Sequence, residues 1–171
     1  MNYKRIFIEN SLVFITVVTK NRENILIDNI SFLRKAFKLA KEKYRFEIIA
    51  IIINPNHFHM IMRPEDIKEY PKIIGFIKSS FTKLSKIKHT LNITTREANI
   101  WQRRYWEHTI INENDLHRHI DYIHFNSMKH YSIPPKEWKY STFKKYVNKG
   151  VYELDWCNFD NKYGINEMNL E

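Results

Sequence analysis

The sequence predicts an α+β domain of ferredoxin-like (RRM-like) form, a β-α-β-β-α-β sandwich with an antiparallel sheet and one added helix. Three observations carry this. The apolar run EIIAIII is interrupted by Asn54, Pro55 and Asn56 before HFHMIM, the pattern of two paired strands joined by a turn. Two stretches of helical periodicity, residues 29–44 and 70–87, alternate with short β-like runs. A third periodic stretch, residues 113–129, follows the last of those runs.

Each element has its own local reason. Residues 11–19, SLVFITVVT, are β-branched and aromatic and read as the first strand; Glu9 and the threonines argue against a signal peptide. The first helix places Phe32, Leu33, Ala36, Phe37, Ala40 and Tyr44 on one stripe. Strands over residues 46–53 and 57–62 follow, and then a helix with Ile73, Ile77, Phe81 and Leu84 as its buried stripe. The segment between Lys88 and Ile100 is polar and reads as a loop. Residues 104–111 form the last strand. In this topology the first and third strands are central, and the sheet face away from the two helices is free for a ligand or nucleic acid. The added helix opens with Asn112 or Asn114 as cap, carries Glu113 and Asp115 at its positive end, and docks on the sheet through Leu116, Ile120 and Ile123.

With 171 residues, 43% hydrophobic and 15% aromatic, the chain suits one domain with a substantial core. We expect residues 1–130 to form that domain. Residues 131–171 would be a C-terminal extension packed on it, anchored by Trp138, Phe143, Tyr146 and Trp156 and ending in a loose polar tail. Cys157 is the single cysteine, which excludes an internal disulfide framework and suits a reducing, cytoplasmic location, nucleoid-associated at most. No stretch approaches a membrane span. The formal net charge is +9, from 28 Lys and Arg against 19 Asp and Glu, which favours a polyanionic partner such as nucleic acid.

The chemistry concentrates in two places. On a strand, side chains alternate faces, so His57 and His59 point the same way while Phe58, Met60 and Met62 face the core. Two imidazoles on one sheet face can converge on a divalent cation. A histidine pair alone is more often an ordinary buried pair, so its weight comes from what stands opposite. On the added helix Tyr122 and Asn126, four residues apart, share one face with His119. If that face looks at the histidine strand, Asn126 offers its amide oxygen to the metal and Tyr122 its phenol beside it. Further along, WQRRYWEHTI interleaves aromatics with Arg103 and Arg104, a mixture suited to single-stranded nucleic acid. Arg103, Arg104 and Lys129 are the candidate DNA contacts; Trp101 and Trp106 fit base stacking and core packing equally well.

The run from Asn54 to Met62, then WQRRYWEHTI, HRHIDYIHFNSMKH, EWKYSTFKKY and YELDW, taken in order, resembles the REP-associated tyrosine transposases, relatives of the single-tyrosine HUH insertion-sequence transposases. The similarity spans about Tyr3 to Trp156. It implies a single-strand DNA endonuclease and strand transferase acting at hairpin-forming repeats. By motif position His57 and His59 are the HUH metal ligands, Asn126 the third ligand and Tyr122 the catalytic nucleophile. The expected cofactor is Mg2+ or Mn2+, with zinc still compatible, and the expected partner is single-stranded or hairpin DNA. The chain would act as a monomer or homodimer. One departure stands out. The family continues its asparagine with proline and soon a glycine, whereas here Ser127, Met128, Lys129, His130 and Tyr131 follow Asn126. Ser127 restores a backbone donor and Tyr131 disfavours a left-handed cap, so the end of the helix is expected to differ. Trp106, Glu107 and His108 fit a recurring motif of the family, without an assignable role. The alternative function is a noncatalytic hairpin DNA or RNA binding protein derived from a transposase.

Overall fold

The computed structural model describes residues 7–88 and 99–157. Its elements follow the expected order: β1 (Val13–Val18), α1 (Ile30–Lys43), β2 (Phe46–Ile53), β3 (His57–Pro64), α2 (Tyr70–Ser85), β4 (Trp106–Thr109), α3 (Glu113–Tyr131) and a short α4 (Phe143–Asn148). The strands form one antiparallel sheet in the order β2-β3-β1-β4, so β1 and β3 are central as the topology requires. Most of the predicted loop between Lys88 and Ile100, and the polar tail from Asn158, lie outside the described residues.

Alternation along the central strands builds two cores. Val13, Ile15 and Val17 of β1 join Phe58, Met60 and Met62 of β3 beneath α1 and α2. The reverse face carries Phe14, Ala50, Ile52 and Ile61, packed against Ile120, Tyr122 and Ile123 of α3. All six residues of β1 are buried, because both of its faces are covered. Fully burying side chains of this size contributes about 1.5–3 kcal/mol each.

The second core corrects one expectation. The face away from α1 and α2 is not left open: α3 lies across β2 and β3, and residues beyond it complete the cover. The extension is stitched to β2 by backbone bonds from Ile53 N–H to Tyr140 O (2.8 Å) and from Thr142 N–H to Ile51 O (3.0 Å). Trp138 Nε1 donates to Ile53 O at 3.0 Å, and the Tyr146 hydroxyl to Ile49 O at 3.1 Å. Trp101 is also settled as core: it is buried against Phe58 and Phe81, with Nε1 donating to Lys78 O. Trp106 is 40% exposed.

The end of α3 departs from an asparagine-proline pattern in the expected direction. With an N–H at Ser127 and no early glycine, the helix runs on to Tyr131. Ser132 then takes the left-handed cap (φ 54°), its N–H bonding Met128 O, and Ser127 Oγ donates to Ile133 O at 2.9 Å. Asn126 therefore sits inside the helix and is not its cap.

Candidate active site

The histidine strand is held at the turn that leads into it. The turn before it, Asn54-Pro55-Asn56, is closed by Asn54 N–H bonding His57 O at 2.8 Å. Its carbonyls are tied down in turn: Pro55 O accepts from Leu26 N–H and Asn56 O from Thr19 N–H, both at 2.8 Å. His57 and His59 thus project from a fixed hairpin end, with ring centroids 4.8 Å apart and both rings buried.

Each imidazole is oriented by a neighbour at Nδ1. His57 Nδ1 lies 2.6 Å from Asn56 Oδ1, which can only accept from it, so the proton sits on Nδ1 and Nε2 keeps its lone pair. His59 Nδ1 lies 2.8 Å from the hydroxyl of Thr16, its direct partner across the β1–β3 ladder. Burial, reinforced by His57, His130, Lys129 and Arg22, holds His59 well below the ordinary imidazole range. A neutral imidazole with an oriented Nδ1 is the form that binds metals.

Helix α3 brings its face to this pair. The Tyr122 ring lies edge-on to His59 at 5.2 Å and to Phe14 at 6.1 Å, and it is fully buried. One turn later Asn126 Oδ1 accepts from Asn54 Nδ2 at 2.5 Å, and the same Asn54 nitrogen lies 2.9 Å from His57 Nε2. The Lys129 ammonium stands 4.9 Å over the Tyr122 ring. His57, His59, Tyr122, Asn126 and Lys129 therefore meet within a single chain.

A profile of the IS200-like transposases matches residues 8–126. A Haemophilus influenzae protein provisionally named a REP-associated tyrosine transposase is 41% identical over 162 residues, covering 91% of this chain and 92% of its own. The chain belongs to the REP-associated tyrosine transposases. The Escherichia coli REP-associated tyrosine transposase is 35% identical over 158 residues, covering 91% and 90% respectively. A solved REP-associated tyrosine transposase bound to a REP hairpin superposes with a TM-score of 0.80 at 33% identity, covering 91% of this chain and 90% of that one.

Within this transposase frame the remaining candidates and the other histidines of α3 fall in different places. Arg103 and Arg104 are exposed, on the segment leading into β4, and Lys129 is half-buried beside Tyr122. His124 faces away, buried against the extension with Nε2 2.9 Å from Thr142 Oγ1; burial pushes its pKa down to about 3. His119 packs at 4.8 Å against both Phe14 and His108. It belongs to a second cluster, His108, Asp115 and His119, whose ligand atoms lie within 4.8 Å of one another and could hold a metal ion. Its groups already engage one another: the His108 and His119 rings stack, and His119 Nδ1 lies 3.1 Å from Asp115 Oδ1 and 2.8 Å from Asp115 O. Asp115 Oδ2 meets His108 Nε2 at 2.8 Å and accepts from Ile111 N–H at 3.0 Å, while Asn112 Oδ1 caps Asp115 N–H. The His108 of the unassigned motif thus pins the start of α3 to β4.

Sequence reasoning missed Thr16, Asn54 and Asn56 as site residues. Thr16 was legible only through strand register, which needs the β1–β3 pairing. By sequence Asn54 and Asn56 are turn formers, a role they also fill.

Proposed function

We propose that this transposase is a metal-dependent endonuclease and strand transferase for single-stranded DNA at hairpin repeats, working through a 5′-phosphotyrosine. The observation that carries the reading is the meeting of Tyr122 with His57, His59 and Asn126 inside one chain. A metal fits the residues present: two buried neutral imidazoles and an amide oxygen converge, and Asn54 Oδ1 and Asn126 Nδ2 are left without hydrogen bonds among the described residues. His57, His59 and Asn126 would hold Mg2+ or Mn2+, which would draw the nonbridging oxygens of the scissile phosphate and offset developing charge.

The protein's own part is positioning. Tyr122 is delivered from a helix packed on the sheet, so its phenol has little freedom, and the Lys129 ammonium over its ring would attract a phosphate to this end of the site. The phenol loses its proton and its oxygen bonds to phosphorus. The bond from phosphorus to the 3′ oxygen breaks, and that oxygen takes up a proton to leave a free 3′-hydroxyl. The phosphodiester energy is kept in the tyrosine link, so a second 3′-hydroxyl can attack it and release Tyr122. Arg103 and Arg104, exposed ahead of β4 with Trp106 beyond them, suit contact with the strand itself. The hairpin-bound relative supports hairpin DNA as the partner.

The test uses a hairpin oligonucleotide with a single-stranded flank, labelled at its 3′ end because the tyrosine stays on the 5′ phosphate. With Mn2+ the wild-type protein should form an adduct that survives SDS, and chelation or Tyr122→Phe should abolish it. An adduct with Tyr122→Phe would remove Tyr122 as nucleophile. Tight hairpin binding with no cleavage in either metal would favour the noncatalytic reading.

A further inference from the structure

The position between His57 and Asn126 is taken by the amide of Asn54. This side chain is fully buried at the closed hairpin turn, ahead of Pro55, which keeps its backbone extended. Its Nδ2 reaches His57 Nε2 at 2.9 Å and Asn126 Oδ1 at 2.5 Å, so one nitrogen donates to two prospective metal ligands. Its Oδ1 is buried and has no hydrogen bond among the described residues. An unsatisfied buried acceptor costs about 1–3 kcal/mol and calls for an explanation.

We infer that Asn54 is a fourth protein ligand of the divalent ion, turning its amide to present Oδ1 when the ion enters. This rests on the proposed metal site and names its donor set. The two ends of an amide have nearly the same shape, and the terminal torsion of asparagine is soft, so a half-turn exchanges N and O without moving the backbone. Turned this way with no cation present, Oδ1 would face the lone pairs of His57 Nε2 and Asn126 Oδ1 and be repelled. With a cation between them all three point correctly. Asn54 Nδ2 is thus a stand-in for the ion, and the turn of the amide is coupled to its arrival.

The chemical consequence is a neutral set of two imidazole nitrogens and two amide oxygens. None of the four cancels the charge of the cation, which stays available to phosphate oxygens. Mg2+ or Mn2+ held by these four donors would leave room for those oxygens, and the added oxygen donor favours these ions over zinc.

Mn2+ binding, measured by calorimetry and by loss of the free-ion paramagnetic resonance signal, tests this without reference to cleavage. His57→Ala should abolish binding; if it binds as wild type does, the wider site is misplaced and the Asn54 inference falls with it. Given that control, Asn54→Leu should weaken Mn2+ binding roughly 10- to 100-fold, while Asn54→Asp, which keeps an oxygen, should bind at least as well as wild type. Unchanged or tighter binding by Asn54→Leu would overturn the inference and leave Asn54 as a competitor of the ion. Should Asn54→Leu fail to fold, a crystal of the wild-type protein with Mn2+ decides. Oδ1 within about 2.3 Å of the ion supports the assignment; Nδ2 turned inward or the amide swung away refutes it.

Discussion

The hydroxyl of Thr16 lies 2.8 Å from His59 Nδ1, directly across the ladder between the two central strands. A buried neutral imidazole has one N–H, and if Nε2 is to bind a cation the proton must sit on Nδ1. In that tautomer Thr16 Oγ1 is placed to accept the proton and to fix the ring plane. Thr16→Val keeps the shape and the β-branch but removes the acceptor, so Mn2+ affinity should fall about 10-fold or more. Thr16→Ser should restore most of it. Equal affinity for Thr16→Val and wild type would show that strand packing alone orients His59.

The bond from His108 Nε2 to Asp115 Oδ2 joins β4 to the first turn of α3, seven residues before Tyr122. Because Asp115 also accepts from Ile111 N–H, the carboxylate organises the whole entry to the helix. His108→Ala should cost about 1–2 kcal/mol in urea unfolding, with little change in the m-value. The more telling readout is cleavage. If this pin serves to place Tyr122, adduct formation should drop while hairpin affinity holds. A parallel loss of both would point instead to a DNA-contacting role for His108.

What could be read from the sequence divides along physical lines. Element order and both helix stripes were legible because hydrophobic periodicity is local, with the exception of Phe32, which lies at the exposed edge of the first stripe; residues 46–53 and the start of β3 at His57 match the observed strands. The pairing of His57 with His59 followed from strand alternation alone. The meeting of α3 with that strand required a docking angle that no local pattern encodes, and it was reached through motif order. Trp138, Tyr146 and Trp156 were legible as anchors of the extension, but that they and α3 close the face expected to be free was not, for a related reason. The residues that cover it, Trp138, Tyr146, Tyr152 and Trp156, are scattered aromatics without a period. The bonds of Tyr146 to Ile49, of Trp138 to Ile53 and of Thr142 to Ile51 are long-range in sequence.

Acid should weaken the fold through His119. Burial depresses its pKa, an effect partly offset by Asp115 and deepened by His108 and Arg118. The unfolded chain takes up a proton at this residue as pH falls through about 6.5, while the folded state does not, so stability declines from there toward the lower folded value. His59 and His124 act in the same sense. Asp115 adds its share only at lower pH: burial raises its carboxyl, but the bonds from His108 and Ile111 outweigh that and leave it below the usual range. Its stabilisation is therefore lost only as pH drops below about 4. Thermal unfolding followed from pH 7.5 to 5.0 should show a falling Tm, with a shallower slope in His119→Gln. An identical slope in that variant would mean that His119 is protonated in the folded state as readily as in the unfolded chain.

Residues beyond α3 should prove inseparable from the domain. Tyr131 at the end of the helix stacks on Trp138 with centroids 5.3 Å apart and planes 2° from parallel, and Trp138 Nε1 caps the carbonyl of Ile53 at the tip of β2. Asn54, next in the chain, carries the contacts to His57 and Asn126, so the extension braces the turn before the histidine strand as well as the second core. Removing it would uncover Ala50 and Ile52 and leave edge groups of β2 without partners. A chain ending at Tyr131 should lose cooperative unfolding and its near-ultraviolet circular dichroism while keeping helical signal. The point variant Trp138→Ala should fold, with a loss of about 3–5 kcal/mol, and should bind Mn2+ more weakly than wild type. A truncated chain that unfolds cooperatively and binds Mn2+ normally would make the extension an accessory, with its aromatics free for another task.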